Sequence, residues 1–230
     1  MKLLIIGYGR MGKLVESLSS SYGFEVAGVL DIDNNQDGRG LASPPAADVA
    51  VDFSIAAATR QNLPLLARHR INAVIGTTGL GEDEEALRRV VSEAGIGVVV
   101  ASNFSLGVNL FQNIVERAAR QFAAHADYGA FIHEAHHAAK KDAPSGTALT
   151  LKAAMEAAGF DRGIDLSATR AGSIPGTHTV GFDGPSDTVT LTHTNRDRAA
   201  FAHGALEAAR WVVGRRGWFT MKDVLGLETE

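Results

Sequence analysis

The residues best suited to chemistry lie between Phe131 and Ala148: Phe131-Ile132-His133-Glu134-Ala135-His136-His137-Ala138-Ala139-Lys140-Lys141-Asp142-Ala143-Pro144-Ser145-Gly146-Thr147-Ala148. Three of the chain's 8 histidines, two adjacent lysines and two carboxylates fall here. His136 and His137 can give or take a proton near neutral pH, and Lys140 or Lys141 can donate one. Pro144-Ser145-Gly146-Thr147 reads as the start of a helix, with Ser145 as its cap. Free N–H groups and hydroxyls at such a start form a ready site for a carboxylate. A second chemistry competes, because His133-Glu134-Ala135-His136-His137 also fits the zinc pattern H-E-x-x-H. That pattern works only on a helix, whereas Tyr128–Ile132 before it is strand-like. Acid chemistry is therefore the preferred reading, and His133 is the histidine expected to matter least.

A second motif supplies a partner for proton donors. Leu3–Ile6 reads as a buried strand and runs into Gly7-Tyr8-Gly9-Arg10-Met11-Gly12, with helical spacing from Lys13. This is G-x-G-x-x-G between a strand and a helix. Gly7 makes the tight turn, Gly9 admits a pyrophosphate to the backbone, and Gly12 allows close packing. A second strand, Glu25–Leu30, ends at Asp31, where an acid accepts hydrogen bonds from the adenosine ribose. No Lys or Arg follows until Arg39, so a 2'-phosphate lacks a partner and NADH is preferred over NADPH. Gly76-Thr77-Thr78-Gly79, at the end of a further strand, lies where open parallel sheets bind ligands, and reads either as a second ligand-binding turn or as an ordinary β-to-α turn. Hydride from a nicotinamide plus a proton from the 131–148 stretch amounts to a reductase acting on an anionic substrate, a small carboxylate.

The remaining elements must position these two motifs. Strands are expected at Val49–Phe53, Asn72–Ile75 and Ile96–Ala101. Helices are expected at Ala56–Arg68, kinked or restarted at Pro64, and at Glu82–Ala94. The 38–47 segment reads as a loop. This alternation predicts an α/β fold, a doubly wound parallel sheet. A long helix over 106–124, with Leu110, Ile114 and Ala118 at helical spacing, leads into the second half. There the Tyr128–Ile132 strand, a 135–143 loop, a Thr147–Ala158 helix and strands at 165–172, 177–182 and 188–194 predict a smaller α+β region with a mixed sheet. A helix over 199–213 follows, and a short tail begins at Asp223.

Composition limits the function classes. The 230 residues are 45% hydrophobic and 21% charged, with a net charge of -4. No basic run exceeds two residues, so neither nucleic acid nor an acidic membrane surface is an expected partner. Cysteine is absent, which removes thiolate nucleophiles and disulfides and fits a reducing compartment. No stretch is long and apolar enough to span a bilayer, and the expected location is cytoplasmic.

The 134–148 stretch resembles the signature of the 4-hydroxy-tetrahydrodipicolinate reductase (dihydrodipicolinate reductase) family. Similar blocks follow in family order: Gly9–Gly12, Gly76–Gly79, Asn103-Phe104-Ser105 with Gly107-Val108-Asn109, Arg170-Ala171-Gly172, Gly176-Thr177-His178, and Thr192-His193 through Arg198 to Ala205. The resemblance implies hydride transfer from NAD(P)H to C4 of a cyclic, unsaturated dicarboxylate of the diaminopimelate–lysine pathway. It implies His136 and Lys140 as the proton-handling pair, and His137, Gly146 and Thr147, beside Ser145, as the carboxylate site. The cofactor would be held by Gly7–Gly12, Asp31, Gly76, Thr77, Thr78, Ala101, Ser102, Asn103 and Phe104. The implied fold is a Rossmann-type domain (1–105 and 198–230) with a substrate-binding and oligomerisation domain (106–197), assembled as a homotetramer. The chain departs from the family in a glycine loop one residue shorter than the G-x-x-G-x-x-G common there, and in a short 38–47 region. Two rivals remain. A dehydrogenase of an amino acid or imine would place its acid–base group elsewhere. A non-catalytic NAD-binding regulator would not need His136 and Lys140.

Overall fold

A computed structural model describes residues 1–77 and 79–227. In chain order the first elements are β1 (Lys2–Ile6), α1 (Arg10–Ser19), β2 (Glu25–Leu30), β3 (Val49–Asp52), α2 (Ala56–Arg68), β4 (Asn72–Ile75), α3 (Glu84–Ala94) and β5 (Gly97–Val100). Then come α4 (Leu106–Ala123), β6 (Gly129–His136), α5 (Gly146–Ala157), β7 (Ile164–Arg170), β8 (Thr177–Asp183) and β9 (Thr188–Thr194). The chain closes with α6 (Ala199–Val212), β10 (Gly217–Phe219) and α7 (Met221–Val224). Two compact units result: Met1–Leu106 with the segment from Arg198 onward, and Gly107–Asp197.

The first unit holds a six-stranded sheet in the order β10-β5-β4-β3-β1-β2, with every pairing parallel. Because side chains alternate along a strand, Leu3 and Ile5 enter the core on one face, and Leu4 and Ile6 enter the core on the other. Burial on both faces explains why these strands are continuous apolar runs. The small residues Ala202, Ala205, Ala208 and Ala209 let α6 lie close in the first core. Leu63 and Leu66 of α2 and Leu87 and Val91 of α3 fill the second. After β1 and β2 the chain crosses to β3, so the β1/β3 boundary is the switch point where open sheets of this kind bind ligands.

The second unit is a mixed sheet, β7-β6-β8-β9, in which only β6 and β7 are parallel. One face carries Ile132, Val180 and Phe182 into a core with Phe111 and Val115 of α4 and Leu151 and Met155 of α5. On the other face, Thr177 and Thr179 of β8 pair with Thr194 and Thr192 of the exposed strand β9.

Several sequence expectations need correction. β6 does not stop at Ile132 but continues to His136, because β7 and β8 pair with it on both sides. In α4 the buried stripe is Val108, Phe111, Val115 and Ala119, while Leu110 and Ile114 are 43% and 52% exposed. Pro64 lies inside one continuous helix. The 38–47 segment is not wholly loop: a 3-10 turn spans Gln36–Leu41, with Asp37 and Gly38 at φ 53° and 77°, and it buries Leu41. β10 replaces what looked like connection before the tail, and it supplies the sixth strand.

Candidate active site

Strand β6 carries the centre of the second unit. Alternation puts Glu134 and His136 on one face and His133 and Ala135 on the other. Glu134 is fully buried. Arg170, paired in register with His136 from β7, donates to it through both terminal nitrogens, Nη1 to Oε2 at 2.9 Å and Nη2 to Oε1 at 2.6 Å. The Ser145 amide donates to Oε1 at 3.1 Å, and His136 Nδ1 closes on Oε2. Burial pushes the Glu134 carboxyl up, but Arg170, His136 and the Ser145 amide outweigh it and hold it below the usual carboxylate value. An ionised carboxylate only accepts, so His136 Nδ1 carries the hydrogen and Nε2 is the atom left to exchange protons. Gly176 keeps that atom uncrowded, since a Cβ there would come within 3.1 Å of Nε2.

Two further groups complete the centre. His178 is 5% exposed. Its Nε2 lies 3.1 Å from Ser145 Oγ, and its ring meets that of His136 edge-on at 5.2 Å. Burial, and then the charge of His136, push its pKa down to about 4, so it is neutral at pH 7. Lys140 Nζ donates to both Asp142 oxygens at 2.8 Å, which holds the Asp142 carboxyl below its usual value. The Asp142 carbonyl accepts from Arg170 Nη2 at 2.6 Å, so one arginine fastens both Glu134 and the lysine-bearing turn.

The other expected residues of this unit divide. His137 is half-buried, and its carbonyl accepts from the Lys140 amide at 3.1 Å. Gly146 is exposed and Thr147 half-buried at the first turn of α5; Lys141 is exposed. Ser145 is 2% exposed, with its hydroxyl engaged by Ala148 N–H and His178 and its amide by Glu134. It therefore fixes the helix start rather than presenting its own polar groups outward. The zinc pattern is not on a helix: His133 faces away from Glu134 and bonds Thr169 Oγ1 at 3.0 Å. Glu134, His136 and His178 do bring ligand atoms within 4.8 Å of one another, but both Glu134 oxygens already face Arg170, whose charge balances the carboxylate.

In the first unit a cleft of about 550 Å³ opens at the β1/β3 boundary. Gly7, Tyr8, Gly9 and Asp31 line it, with Ser54 and Asn35. Gly7 has φ 85°, and a Cβ there would strike the Phe53 carbonyl carbon at 2.7 Å. A Cβ on Gly12 would come within 2.2 Å of the Gly7 carbonyl oxygen, whereas one on Gly9 would meet nothing within 4 Å. The loop is thus closed toward the protein and open at Gly9, the shape a dinucleotide pyrophosphate requires. Arg10 is exposed, and Met11 packs on the first core. Asp31 Oδ1 accepts from the Asp33 amide at 3.0 Å.

Gly76, Thr77 and Ala101–Phe104 lie outside that cleft's lining. Gly76 packs on the Phe53 ring, where a Cβ would come within 2.1 Å. The Thr77 hydroxyl is turned inward to Ser54 O and Thr59. Thr78 lies outside the described residues. Ala101 donates to Ile75 O at 3.1 Å, Ser102 is exposed, and Asn103 Oδ1 accepts from Ser105 N at 2.9 Å. Phe104 is 1% exposed and packs edge-on against Phe53 at 6.0 Å, so its side chain is core.

Sequence reasoning missed Arg170, His178 and the part played by Glu134. Arg170 and His178 fall in the family-like blocks 170–172 and 176–178, but their distance in sequence from Glu134 hid the role that pairing beside β6 gives them. Glu134 had a signal, the two-residue spacing to His136, which puts both on one face once β6 is extended to His136.

Comparison with known proteins shows which family the chain resembles. Residues 1–104 match the family model for the N-terminus of dihydrodipicolinate reductase, and residues 107–225 match the one for its C-terminus. A 4-hydroxy-tetrahydrodipicolinate reductase of Christiangramia forsetii is 37% identical over 238 residues, covering 98% of each chain. One of Rhodopseudomonas palustris is 38% identical over 271 residues, covering 99% of this chain and 97% of that one. The solved structure of a dipicolinate-bound dihydrodipicolinate reductase from Paenisporosarcina sp. TG-14 superposes with a TM-score of 0.81 at 22% identity, covering 96% and 97% of the two chains. Both halves and nearly the full length match, and the chain belongs to the dihydrodipicolinate reductase family.

Proposed function

We propose that the chain reduces 4-hydroxy-tetrahydrodipicolinate to tetrahydrodipicolinate with NAD(P)H, in diaminopimelate and lysine biosynthesis. The observation that carries this reading is the family match along both halves, joined to the buried Glu134–His136 pair that leaves one imidazole nitrogen for proton exchange. We assign cofactor binding to the unit with the parallel sheet, and substrate binding and assembly to the unit with the mixed sheet.

Loss of water removes the 4-hydroxyl and one hydrogen of the adjacent ring carbon; a bound nicotinamide would then supply hydride to C4, and one proton returns to that adjacent carbon. This chain's residues handle the proton and the anions. Glu134 holds His136 so that Nε2 gives or relays that proton, and Asp142 holds Lys140 as the second member of the pair. The N–H groups opening α5 at Gly146 and Thr147 suit one carboxylate of the substrate, and His137 is assigned to the same substrate. Ser145 acts on this site indirectly, as the cap that aims it.

NADH is the proposed cofactor. The cleft lining has two acids, Asp31 and Asp37, and no lysine or arginine. Arg39 is turned to the Gln36 carbonyl at 3.2 Å and to Gln36 Oε1 at 2.7 Å. A 2'-phosphate would meet negative charge there. The cytoplasm, where NADH and small anionic intermediates meet, is the proposed location. The open threonine face of β8 and β9 is the proposed contact in a homotetramer.

One assay tests the reaction and the cofactor together. NADH and NADPH oxidation is followed at 340 nm with freshly made 4-hydroxy-tetrahydrodipicolinate. Turnover with both and a higher kcat/KM for NADH is expected. No oxidation of either would sink the reaction, and a higher kcat/KM for NADPH would overturn the cofactor choice.

A further inference from the structure

The cleft of the first unit rests on a buried acid that the proposed chemistry does not use. Asp52 ends β3 and is 1% exposed. Neutral donors surround its carboxylate. Oδ1 accepts from the Ser54 amide at 2.8 Å and from the Ser54 hydroxyl; Oδ2 accepts from Thr59 Oγ1 at 3.2 Å and Asn62 Nδ2 at 3.4 Å. No lysine or arginine is among these partners. Burial raises the Asp52 pKa against the pull of these donors. A carboxyl group buried without a cation is expensive, and an apolar side chain of similar size would suit the end of a core strand better. Its value must lie in what it holds.

It holds the ends of three loops. Ser54 follows β3 and lines the cleft. With its hydrogen given to Asp52, the Thr59 hydroxyl can accept from Thr77 at 3.2 Å; the single Thr77 hydrogen faces both that oxygen and the Ser54 carbonyl, also at 3.2 Å, and so ties the turn after β4 to this group. Asn62 Oδ1 accepts from Asn35 Nδ2 at 3.0 Å, reaching the loop after β2, and both asparagines line the cleft.

We propose that Asp52 is a positioning residue for cofactor binding, fixing the loops after β2, β3 and β4 around the nucleotide cleft without itself touching the cofactor. This rests on reading that cleft as the dinucleotide site. Asp52→Asn sets its amide nitrogen against either the Ser54 backbone N–H or the Asn62 Nδ2, neither of which can accept, so one link is lost in each orientation. Thr59→Val keeps the shape and removes the hydroxyl shared by Asp52 and Thr77, whereas Thr59→Ser restores a hydroxyl.

The test is the affinity of the full-length protein for NADH or NADPH, whichever the wild type binds more tightly, read by nucleotide fluorescence. Affinity for dipicolinate is measured beside it by calorimetry. Asp52→Asn and Thr59→Val should weaken nucleotide binding by ~10-fold or more, and Thr59→Ser by less than about twofold, with dipicolinate binding unchanged throughout. Nucleotide affinity unchanged in the first two variants overturns the proposal. Equal loss of dipicolinate affinity also overturns it, because Asp52 would then support the whole fold. A wild type that binds dipicolinate but neither nucleotide overturns the cleft assignment, and this inference with it.

Discussion

At the scale of single residues, the centre is a set of charges arranged to leave one imidazole nitrogen available. Lys140→Ala and His136→Ala should each lower turnover by ~100-fold or more while cofactor affinity persists. Stopped-flow turnover beside nucleotide titration checks this, and full turnover in both variants would refute the assignment. His178 sets a pH dependence. Its folded pKa of about 4 lies below the ordinary 6.5, so the unfolded chain binds its proton more readily between those values. The stability it contributes is complete above pH 6.5 and is lost as pH falls toward 4, up to ~3 kcal/mol for this buried group. Thermal melts across that window should show a steeper fall in Tm for wild type than for His178→Gln. Equal slopes would refute the burial argument. Residue types alone pointed to His136 or His137 and to Lys140 or Lys141 as donors, and the family resemblance singled out His136 and Lys140. Neither showed that Glu134 and Arg170 fix them, since that depends on which strand lies beside β6.

At the scale of elements, legibility followed length and pattern. The glycine loop, β2, β4 and β9 were readable because apolar runs or alternation ended at glycine or polar turns. β10 was not, since three residues, Gly217–Phe219, are too few to show a period and take their place from pairing with β5. The stripe on α4 was misread by one position because apolar residues occur on more than one side of it. Tight approaches were also invisible. Gly204 of α6 lies against the carbonyl of Phe104, where a Cβ would come within 1.7 Å of the oxygen. Gly204→Ala should therefore destabilise the first unit by about 3 kcal/mol, because backbone must move on one side or the other. Denaturant unfolding measures this, and a change under about 0.5 kcal/mol would contradict the packing described.

At the scale of the whole molecule, assembly is the outstanding quantity. In the second unit, Thr177, Thr179, Thr192 and Thr194 share one face of the sheet, with hydroxyl pairs at 3.1 and 3.0 Å. Such a face beside the exposed strand β9 can meet a second copy without burying unpaired charge. Light scattering should give a tetramer for wild type and a smaller particle for Thr192→Glu; a wild-type monomer would refute the proposed assembly. The Glu134–Arg170 pair bears on how this molecule comes into being. Arg170 is made 36 residues after the acid it neutralises, with all of α5 between them. A nascent chain therefore carries the Glu134–His136 and Lys140–Asp142 pairs well before Arg170 can fasten them to one another. The two pairs are locked together only when the β6–α5–β7 crossover has closed, and a chain that ended there would still lack His178 of β8.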